Sequence, residues 1–254
     1  MTSESAASKV PQVTLAFWIM KIAATTLGET GGDMVSMSMN LGYVIATLIY
    51  GVIFIVLVAA QIKASKYHPT LYWATIIATT SLGTTIADFA DRSLGIGYAG
   101  GSALLLALLL VSLFVWHRSM GTVAVDTVSS PRSETFYWVT IMFSQTLGTA
   151  LGDWFADDAG FGYLGSAVVF GSLLALIAAA YFWTRISHTI LFWAAFVLTR
   201  PLGAVLGDFF DKPRDHGGLA MSRYAASGVL LAFIVLCLLV FPQRPARRLA
   251  DSSA

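Results

Sequence analysis

The sequence has few charges and almost no cysteine. Only 11% of its 254 residues are charged, against roughly 25% in typical soluble domains. A soluble enzyme of this length would need a polar surface that 15 basic and 14 acidic residues cannot provide. The single cysteine, Cys237, excludes an internal disulfide. The near balance of bases and acids gives no basic surface for a nucleic acid.

The sequence also lacks the short motifs of many enzymes. It contains no P-loop, no dinucleotide-binding fingerprint, no HExxH, no paired CxxC and no GxSxG. An intramembrane enzyme would need a nucleophile or metal centre that the sequence does not reveal, so we expect neither catalytic residues nor a cofactor. Residues 1–13 are polar and lack the regions of a signal peptide, so the first apolar segment is expected to remain as a membrane span.

Apolar residues are abundant and make up 57% of the chain. Because about 20 consecutive apolar residues cross a bilayer, the apolar runs predict an all-α polytopic membrane protein with eight transmembrane helices. We expect one transmembrane domain over residues 1–242 and a short basic cytoplasmic tail at 243–254. The predicted helices lie at about 13–36, 42–62, 71–91, 97–117, 135–157, 162–184, 188–211 and 222–242.

Basic residues are distributed unevenly between the two sets of predicted loops. One set of loops, with the two tails, carries Lys9, Lys63, Lys66, Arg118, Arg132, Arg185, Arg244, Arg247 and Arg248. The other set carries Arg92, Lys212, Arg214 and Arg223. Under the positive-inside rule, this difference predicts that both termini are cytoplasmic, in a multi-pass protein of the inner (plasma) membrane.

One sequence unit recurs four times, at about 11–62, 68–117, 133–184 and 188–242. Each copy has a tryptophan after an aromatic residue, a glycine ten positions later and an aspartate five positions beyond that glycine. The tryptophans are Trp18, Trp73, Trp138 and Trp193; the glycines are Gly28, Gly83, Gly148 and Gly203; the aspartates are Asp33, Asp88, Asp153 and Asp208. Since each unit holds two predicted helices, all four copies point the same way, which gives parallel rather than inverted repeats.

With this tryptophan-to-aspartate pattern, the chain resembles bacterial membrane proteins built from four tandem copies of a repeat of unknown function. In those proteins each repeat has two transmembrane segments and a tryptophan. The resemblance covers about residues 11–242; it implies eight spans and no particular activity. The fourth repeat departs from the others because Arg200 and Pro201 replace pairs such as Thr25-Thr26, so four equivalent sites are not expected.

The repeated tryptophans and glycines suggest structural roles. A tryptophan near the end of a span is typical of an anchor at the lipid headgroups; stacking on a substrate is the alternative. Gly28 and Gly32 are one turn apart, as are their counterparts, and small residues at this spacing let helices pack closely in lipid. The alternative is local unwinding that exposes carbonyls to an ion, and Pro201 suggests a kink or break in the seventh helix.

The repeated aspartates carry the functional prediction. Fifteen residues of helix span about 22 Å, so each aspartate is expected in the outer half of the bilayer. A charge at that depth is costly unless it faces the protein interior or a hydrated cavity. The alternative is that each aspartate lies at the outer end of its helix and touches water.

The first predicted helix supports a polar pathway. Lys21, Thr25, Glu29 and Asp33 recur every four residues and lie along one stripe. Arg200 takes the position of Thr25 in the fourth repeat. Counting Glu29 and the four repeated aspartates against Lys21 and Arg200 leaves three acids in excess. Bound cations or protons must balance such an excess in a low dielectric.

These observations predict a secondary, ion- or proton-coupled transporter of a hard cation such as a divalent metal. The donors are oxygens without nearby cysteine or histidine, which suits Mg²⁺, Ca²⁺ or Mn²⁺. The predicted metal ligands are Glu29, Asp33, Asp88, Asp153 and Asp208; Thr25, Thr80 and Gln145 complete the ion-binding set; Lys21 and Arg200 are counter-charges; and Asp91, Asp157 and Asp211 form an outer vestibule.

The expected partners are the lipid bilayer and the transported cation or proton, and the sequence leaves a homo-oligomer open. The alternative function is a non-transporting membrane sensor or assembly protein. In that case the intramembrane ion pairs would only hold the helices together.

Overall fold

A computed structural model describes residues 7–246 and contains eight long α-helices within this range. They are α1 Leu15–Asp33, α2 Gly42–Lys63, α3 Pro69–Asp88, α4 Tyr98–Met120, α5 Pro131–Asp153, α6 Gly162–Trp183, α7 His188–Asp211 and α8 Arg223–Val240. The all-α prediction and the eight helices are confirmed. Arg247 and Arg248 of the predicted basic tail lie outside the described residues.

The helix boundaries follow local sequence signals. The side chain of Thr14 caps α1 by accepting a hydrogen bond from the Phe17 N–H at 3.3 Å. Proline occupies the first position of α3 and of α5, where its missing N–H costs nothing. Each of α1, α3 and α5 continues into a π-helical turn directly after its repeated aspartate, whereas α7 stays α-helical to Asp211. The break suggested by Pro201 is absent, because α7 runs through it without interruption.

The four odd-numbered helices form a closed ring at the centre of the molecule. Each contacts the next odd helix along the chain, and α7 returns to contact α1. Most residues of these helices are buried. The four parallel repeats therefore surround a common axis.

The even-numbered helices form an outer layer that ties consecutive repeats together. Each even helix packs mainly on the odd helix of the following repeat: α2 on α3, α4 on α5, and α6 on α7. The last helix, α8, packs on α1 and closes the circle. The outward faces of these helices expose large apolar side chains, for example Leu48, Phe114, Leu176 and Leu239. Exposed apolar belts of this extent are typical of a surface that meets lipid rather than water.

Among the described residues, five helices are long and apolar enough to cross a membrane: α2, α4, α6, α7 and α8. The remaining helices α1, α3 and α5 are similar in length but carry threonine, serine, glycine and acidic residues on the faces that they bury in the ring. Their polar residues therefore belong to the interior of the bundle. The coarse prediction of a membrane-spanning helical protein is supported.

Glycine allows the odd helices to approach one another closely. In each repeat, the first glycine of the small-residue pair faces a residue of the next odd helix. That residue lies three positions before the corresponding glycine of its own helix. A side chain at this glycine would collide with that residue, because the pairs are Gly28 with Thr80, Gly83 with Gln145, Gly148 with Arg200, and Gly203 with Thr25. The close-packing interpretation of the glycines is confirmed, and the unwinding alternative is wrong, because all four lie within regular helix.

The first and last segments of the described residues meet at the N-terminal ends of the odd helices. The Ala246 N–H donates to the Val10 carbonyl at 2.8 Å, and the Gln12 N–H donates to the Arg244 carbonyl at 2.8 Å. Close by, the Lys9 ammonium donates to the Gln61 carbonyl, at 3.1 Å, and to the Glu134 carboxylate, at 2.6 Å. The N-terminal segment thus connects the end of α2 to the beginning of α5. The Lys9 ammonium is favourable at the end of α2, because the C-terminal end of a helix carries a partial negative charge.

This arrangement predicts that the chain tolerates circular permutation. We expect a permutant that begins at residue 186, in the exposed turn between α6 and α7, and joins residue 246 to residue 7 through a short glycine-serine linker, to keep the fold. Its melting temperature should lie within about 5 °C of the original chain, since a short linker changes loop entropy by only a fraction of a kcal/mol. A permutant opened between residues 104 and 105, inside α4, is the control and should not fold.

Candidate functional site

Five layers of buried side chains line the axis of the ring. They fall at every fourth position of the odd helices, and each layer takes one residue from each repeat. From the N-terminal ends the layers are Phe17, Tyr72, Tyr137 and Phe192; Lys21, Ile76, Ile141 and Phe196; Thr25, Thr80, Gln145 and Arg200; Glu29, Thr84, Thr149 and Ala204; and Asp33, Asp88, Asp153 and Asp208. We call the first layer the aromatic end and the last layer the acidic end.

The four aspartates of the acidic end are buried, each with at most 3% of its surface exposed. The alternative that they are wet helix ends is therefore wrong. They divide into two pairs, and one basic side chain bridges each pair. Lys212 Nζ lies 2.9 Å from Asp33 Oδ2 and 3.0 Å from Asp208 Oδ1.

The second pair repeats this geometry on the other side of the axis. Arg92 Nε lies 3.1 Å from Asp88 Oδ1, and its Nη2 lies 4.0 Å from Asp153 Oδ2. Lys212 and Arg92 each follow the aspartate of their own repeat by four residues and reach the aspartate of the next repeat. The acidic end therefore has an approximate twofold symmetry that relates repeats 1 and 2 to repeats 3 and 4.

Lys212 stays charged in this environment. Burial on its own would lower the pKa of the ammonium, but the carboxylates of Asp208 and Asp33 outweigh this effect and hold the pKa above its ordinary value. Arg223 at the start of α8 adds a further positive charge, 3.6 Å from Asp33 Oδ2 and 2.5 Å from Asp211 Oδ2.

A third carboxylate breaks the symmetry on the Lys212 side. One oxygen each from Glu29, Asp33 and Asp208 can be chosen so that all three lie within 4.8 Å of one another. This spacing is about twice a Ca²⁺–oxygen bond length, so one hard cation can contact all three. On the Arg92 side the position of Glu29 is taken by Thr149, so the described residues there form no equivalent triad.

Arg200 fills the axis directly below this triad. Its Nη2 donates to Glu29 Oε2 at 2.9 Å and to the hydroxyls of Thr84 and Thr149, each at 2.5 Å. Its Nη1 donates to the Thr25 carbonyl at 3.2 Å. One guanidinium thus contacts the other three odd helices. Because Arg200 is completely buried, the Glu29–Arg200 pair is a buried salt bridge.

Lys21, a predicted counter-charge, has no carboxylate partner among the described residues. Its Nζ lies 4.1 Å from the centre of the Phe196 ring and has no hydrogen-bond partner within residues 7–246. Glu29, two turns away on the same helix, is bound by Arg200 instead. The partner of Glu29 comes from a neighbouring helix, so the pattern of polar residues along α1 alone cannot reveal it.

The threonine and glutamine positions of the predicted ion-binding set differ among themselves. The Thr25 hydroxyl donates to carbonyls of its own helix and of Thr199, so it serves helix packing. The Thr80 hydroxyl and both amide atoms of Gln145 are buried and have no hydrogen-bond partner among the described residues. The Thr80 hydroxyl and the Gln145 amide can therefore still form hydrogen bonds with a ligand on the axis.

The predicted outer vestibule is only partly formed as expected. Asp157 is exposed, and Asp91 is partly buried. Asp211 is buried and paired with Arg223, so it belongs to the ion-pair network rather than to an open mouth.

Trp73, Trp138 and Trp193 are not headgroup anchors, because at most 5% of their surface is exposed, whereas Trp18 is only partly buried. Each tryptophan packs on the aromatic residue of the preceding repeat and closes the aromatic end. The ring-centre distances are 5.6 Å for Phe17–Trp73, 5.7 Å for Tyr72–Trp138, 6.3 Å for Tyr137–Trp193 and 5.7 Å for Phe192–Trp18. The Tyr72 and Tyr137 hydroxyls share a hydrogen bond of 2.6 Å.

The predicted excess of three negative charges is also wrong. Arg92 and Lys212 were counted with the loops, yet they turn back into the acidic end. With these two bases and the Asp211–Arg223 pair, six acids face five bases, which leaves one acid in excess. The i, i+4 spacing of Asp88 with Arg92 and of Asp208 with Lys212 could have revealed these two partners, since residues four apart share a helix face. Thr84 and Thr149, the other ligands of Arg200, stand at the position of Glu29 in their repeats and could have been found by aligning the copies.

Comparison with known proteins agrees with the fourfold repeat. No curated protein and no solved structure matches the chain. The family model described as Repeat of Unknown Function (DUF347) matches residues 16–67, 71–122, 136–187 and 191–244. These four matches cover most of the sequence and coincide with the four helix pairs of the ring, so the chain belongs to the DUF347 repeat family.

Proposed function

We propose that this protein is a secondary transporter that crosses the bacterial inner membrane eight times and carries a hard divalent cation in exchange for protons. The observation that carries the proposal is the buried triad of Glu29, Asp33 and Asp208, whose oxygens lie within 4.8 Å of one another. Buried carboxylates at membrane depth are costly and mark ion pathways. An oxygen-only set favours Mg²⁺, Ca²⁺ or Mn²⁺.

The eight-span topology is supported by the position of the polar residues. The helices α1, α3 and α5 turn their polar faces to the axis, and the outer helices cover them with apolar side chains. The basic residues Lys63, Lys66 and Arg118 lie towards the aromatic end. Under the positive-inside rule this end faces the cytoplasm and the acidic end faces outward.

Transport activity is testable in liposomes. With an imposed pH gradient, the wild-type protein should move Mn²⁺, and Asp33→Asn or Asp208→Asn should lower Mn²⁺ affinity at least about tenfold, since each removes one of three charged ligands. Asp126→Asn, which changes an acid in the connection between α4 and α5, outside the triad and the vestibule, is the matched control. Wild-type flux in Asp33→Asn, Asp88→Asn, Asp153→Asn and Asp208→Asn would contradict the proposal.

One observation favours the alternative of a non-transporting membrane module: each repeated aspartate already has a basic partner. In the transporter, Lys212 occupies the position that the metal cation takes and must leave when the cation binds. In the alternative, Lys212 only holds α7 to α1.

Lys212→Met separates these two functions. The substitution removes the ammonium from Asp33 and Asp208, so a transporter should bind Mn²⁺ about tenfold more tightly and gain more thermal stability from added Mn²⁺ than the wild type does. Arg92→Met changes the symmetry-related bridge, which lacks a third carboxylate, and should leave Mn²⁺ affinity near the wild-type value. Loss of stability in Lys212→Met without any gain in Mn²⁺ binding would favour the structural module.

A further inference from the structure

Two cationic side chains, Lys21 and Arg200, lie on the axis between the two ends, and only one of them can exchange a proton. A guanidinium does not lose its proton in proteins, whereas an ammonium that is removed from water readily does. Arg200 is bound by Glu29, Thr84 and Thr149. Lys21 has no such partner within the part of the chain that the structure describes.

The surroundings of Lys21 make its ammonium easier to deprotonate than an ammonium in water. Its side chain is completely buried in a layer with Ile76, Ile141 and Phe196. The Phe196 ring, 4.1 Å from Nζ, partly stabilises the charge. No acceptor among the described residues receives a hydrogen bond from Nζ. An ammonium in such a place costs several kcal/mol unless it loses its proton.

The charged and titratable groups that face Lys21 are few. Arg200 on α7 is the nearest charge along the axis, and Glu29 on α1 lies two turns away behind it. The facing positions of α3 and α5 hold uncharged residues, Ile76 with Thr80 and Ile141 with Gln145. From α8, the buried thiol of Cys237 joins the same apolar cluster, and Arg223 lies at the acidic end. Besides burial, Arg200 is therefore the group that most affects the charge state of Lys21.

We propose that Lys21 is the proton-binding site of the transporter and that Arg200 couples it to cation binding at Glu29, Asp33 and Asp208. This inference rests on the proposed function. A divalent cation in the triad competes with the guanidinium for Glu29 Oε2. Once this contact weakens, the charge of Arg200 is less neutralised and repels the Lys21 ammonium more strongly.

The ammonium then loses one proton, which passes along the Tyr72 and Tyr137 hydroxyls to water beyond the aromatic end. The N–H bond breaks, its electron pair stays on Nζ, and the ammonium becomes an amine. Departure of the cation restores the Glu29–Arg200 pair and lets Lys21 take up a proton again. The Tyr72 and Tyr137 hydroxyls lie in the next layer towards the aromatic end. They are the proton-carrying groups that follow Lys21 along the axis in that direction.

The test counts protons. Mn²⁺ is titrated calorimetrically into the detergent-purified full chain in two buffers of different ionisation enthalpy, which gives the protons released per Mn²⁺ bound. Lys21→Met should release about one proton fewer than the wild type. Lys21→Arg should also release about one proton fewer than the wild type. It should bind Mn²⁺ about tenfold more weakly than Lys21→Met, because the guanidinium stays charged. Ile141→Met, in the same layer on α5, is the control and should behave like the wild type.

The outcomes separate the two proposals. If Mn²⁺ binds and Lys21→Met and Lys21→Arg both release as many protons as the wild type, Lys21 is not the coupled site and the transporter proposal stands. If the wild type binds no Mn²⁺, both proposals fail. Should Lys21→Met not fold, as judged by circular dichroism, Lys21→Arg keeps the volume and charge and still reports the proton count.

Discussion

Replacing Arg200 with methionine should lower the free energy of unfolding by about 3–5 kcal/mol, since removing one partner of a buried salt bridge leaves the other charge unpaired. The loss should be large because the Arg200 guanidinium contacts Glu29, Thr84, Thr149 and the Thr25 carbonyl at once. Reversible unfolding in mixed detergent micelles measures it.

A double substitution identifies the cause of this loss. Glu29→Gln combined with Arg200→Met removes both charges, so the double variant should be more stable than the sum of the single effects predicts, by about 2 kcal/mol. Arg92→Met serves as the control because Arg92 is 31% exposed and water screens its ion pairs. A loss below about 1 kcal/mol in Arg200→Met would contradict the central role of this side chain.

Gly83→Ala should destabilise the ring by about 1–3 kcal/mol, as expected when a methyl group is forced into a filled contact. The added Cβ would lie 2.9 Å from the backbone C of Gln145 and 2.9 Å from the backbone N of Thr146. A backbone atom cannot rotate away as a side chain can, so α3 and α5 would have to separate along their whole contact.

Gly171→Ala is the matched control, because Gly171 also lies within a helix but no atom would lie within 4 Å of its added Cβ. This variant should be neutral or gain up to about 1 kcal/mol, since alanine loses less backbone entropy than glycine in a helix. Equal melting temperatures for the two variants would show that the α3–α5 contact is looser than the structure indicates.

The sequence was sufficient to predict the helices, the repeat and the burial of the acids. Periodic aspartates at a fixed distance from a tryptophan could be placed in depth because helix geometry converts residue number into length. Glu29, a full turn deeper than Asp33, correctly indicated that carboxylates enter the interior.

Contacts between helices could not be predicted in this way. The partner of Glu29 is Arg200 and not Lys21, because α7 closes the ring beside α1, and no local pattern states which helices become neighbours. The burial of Trp73, Trp138 and Trp193 could not be predicted either, because the preference of tryptophan for lipid headgroups is general. Their burial depends on the aromatic residue of the preceding repeat, which reaches them only in the closed ring.

The packing of α8 on α1 fixes the number of repeats at four. The even helix of each repeat packs on the odd helix of the following repeat. For the fourth repeat, α1 of the first repeat takes the place of that following helix. An inserted fifth copy would have to widen the circle and separate the residues that meet on its axis. A fifth copy therefore cannot be added without opening the ring, whereas a single position can differ between copies within the same ring, as Arg200 does from Thr25 and Thr80.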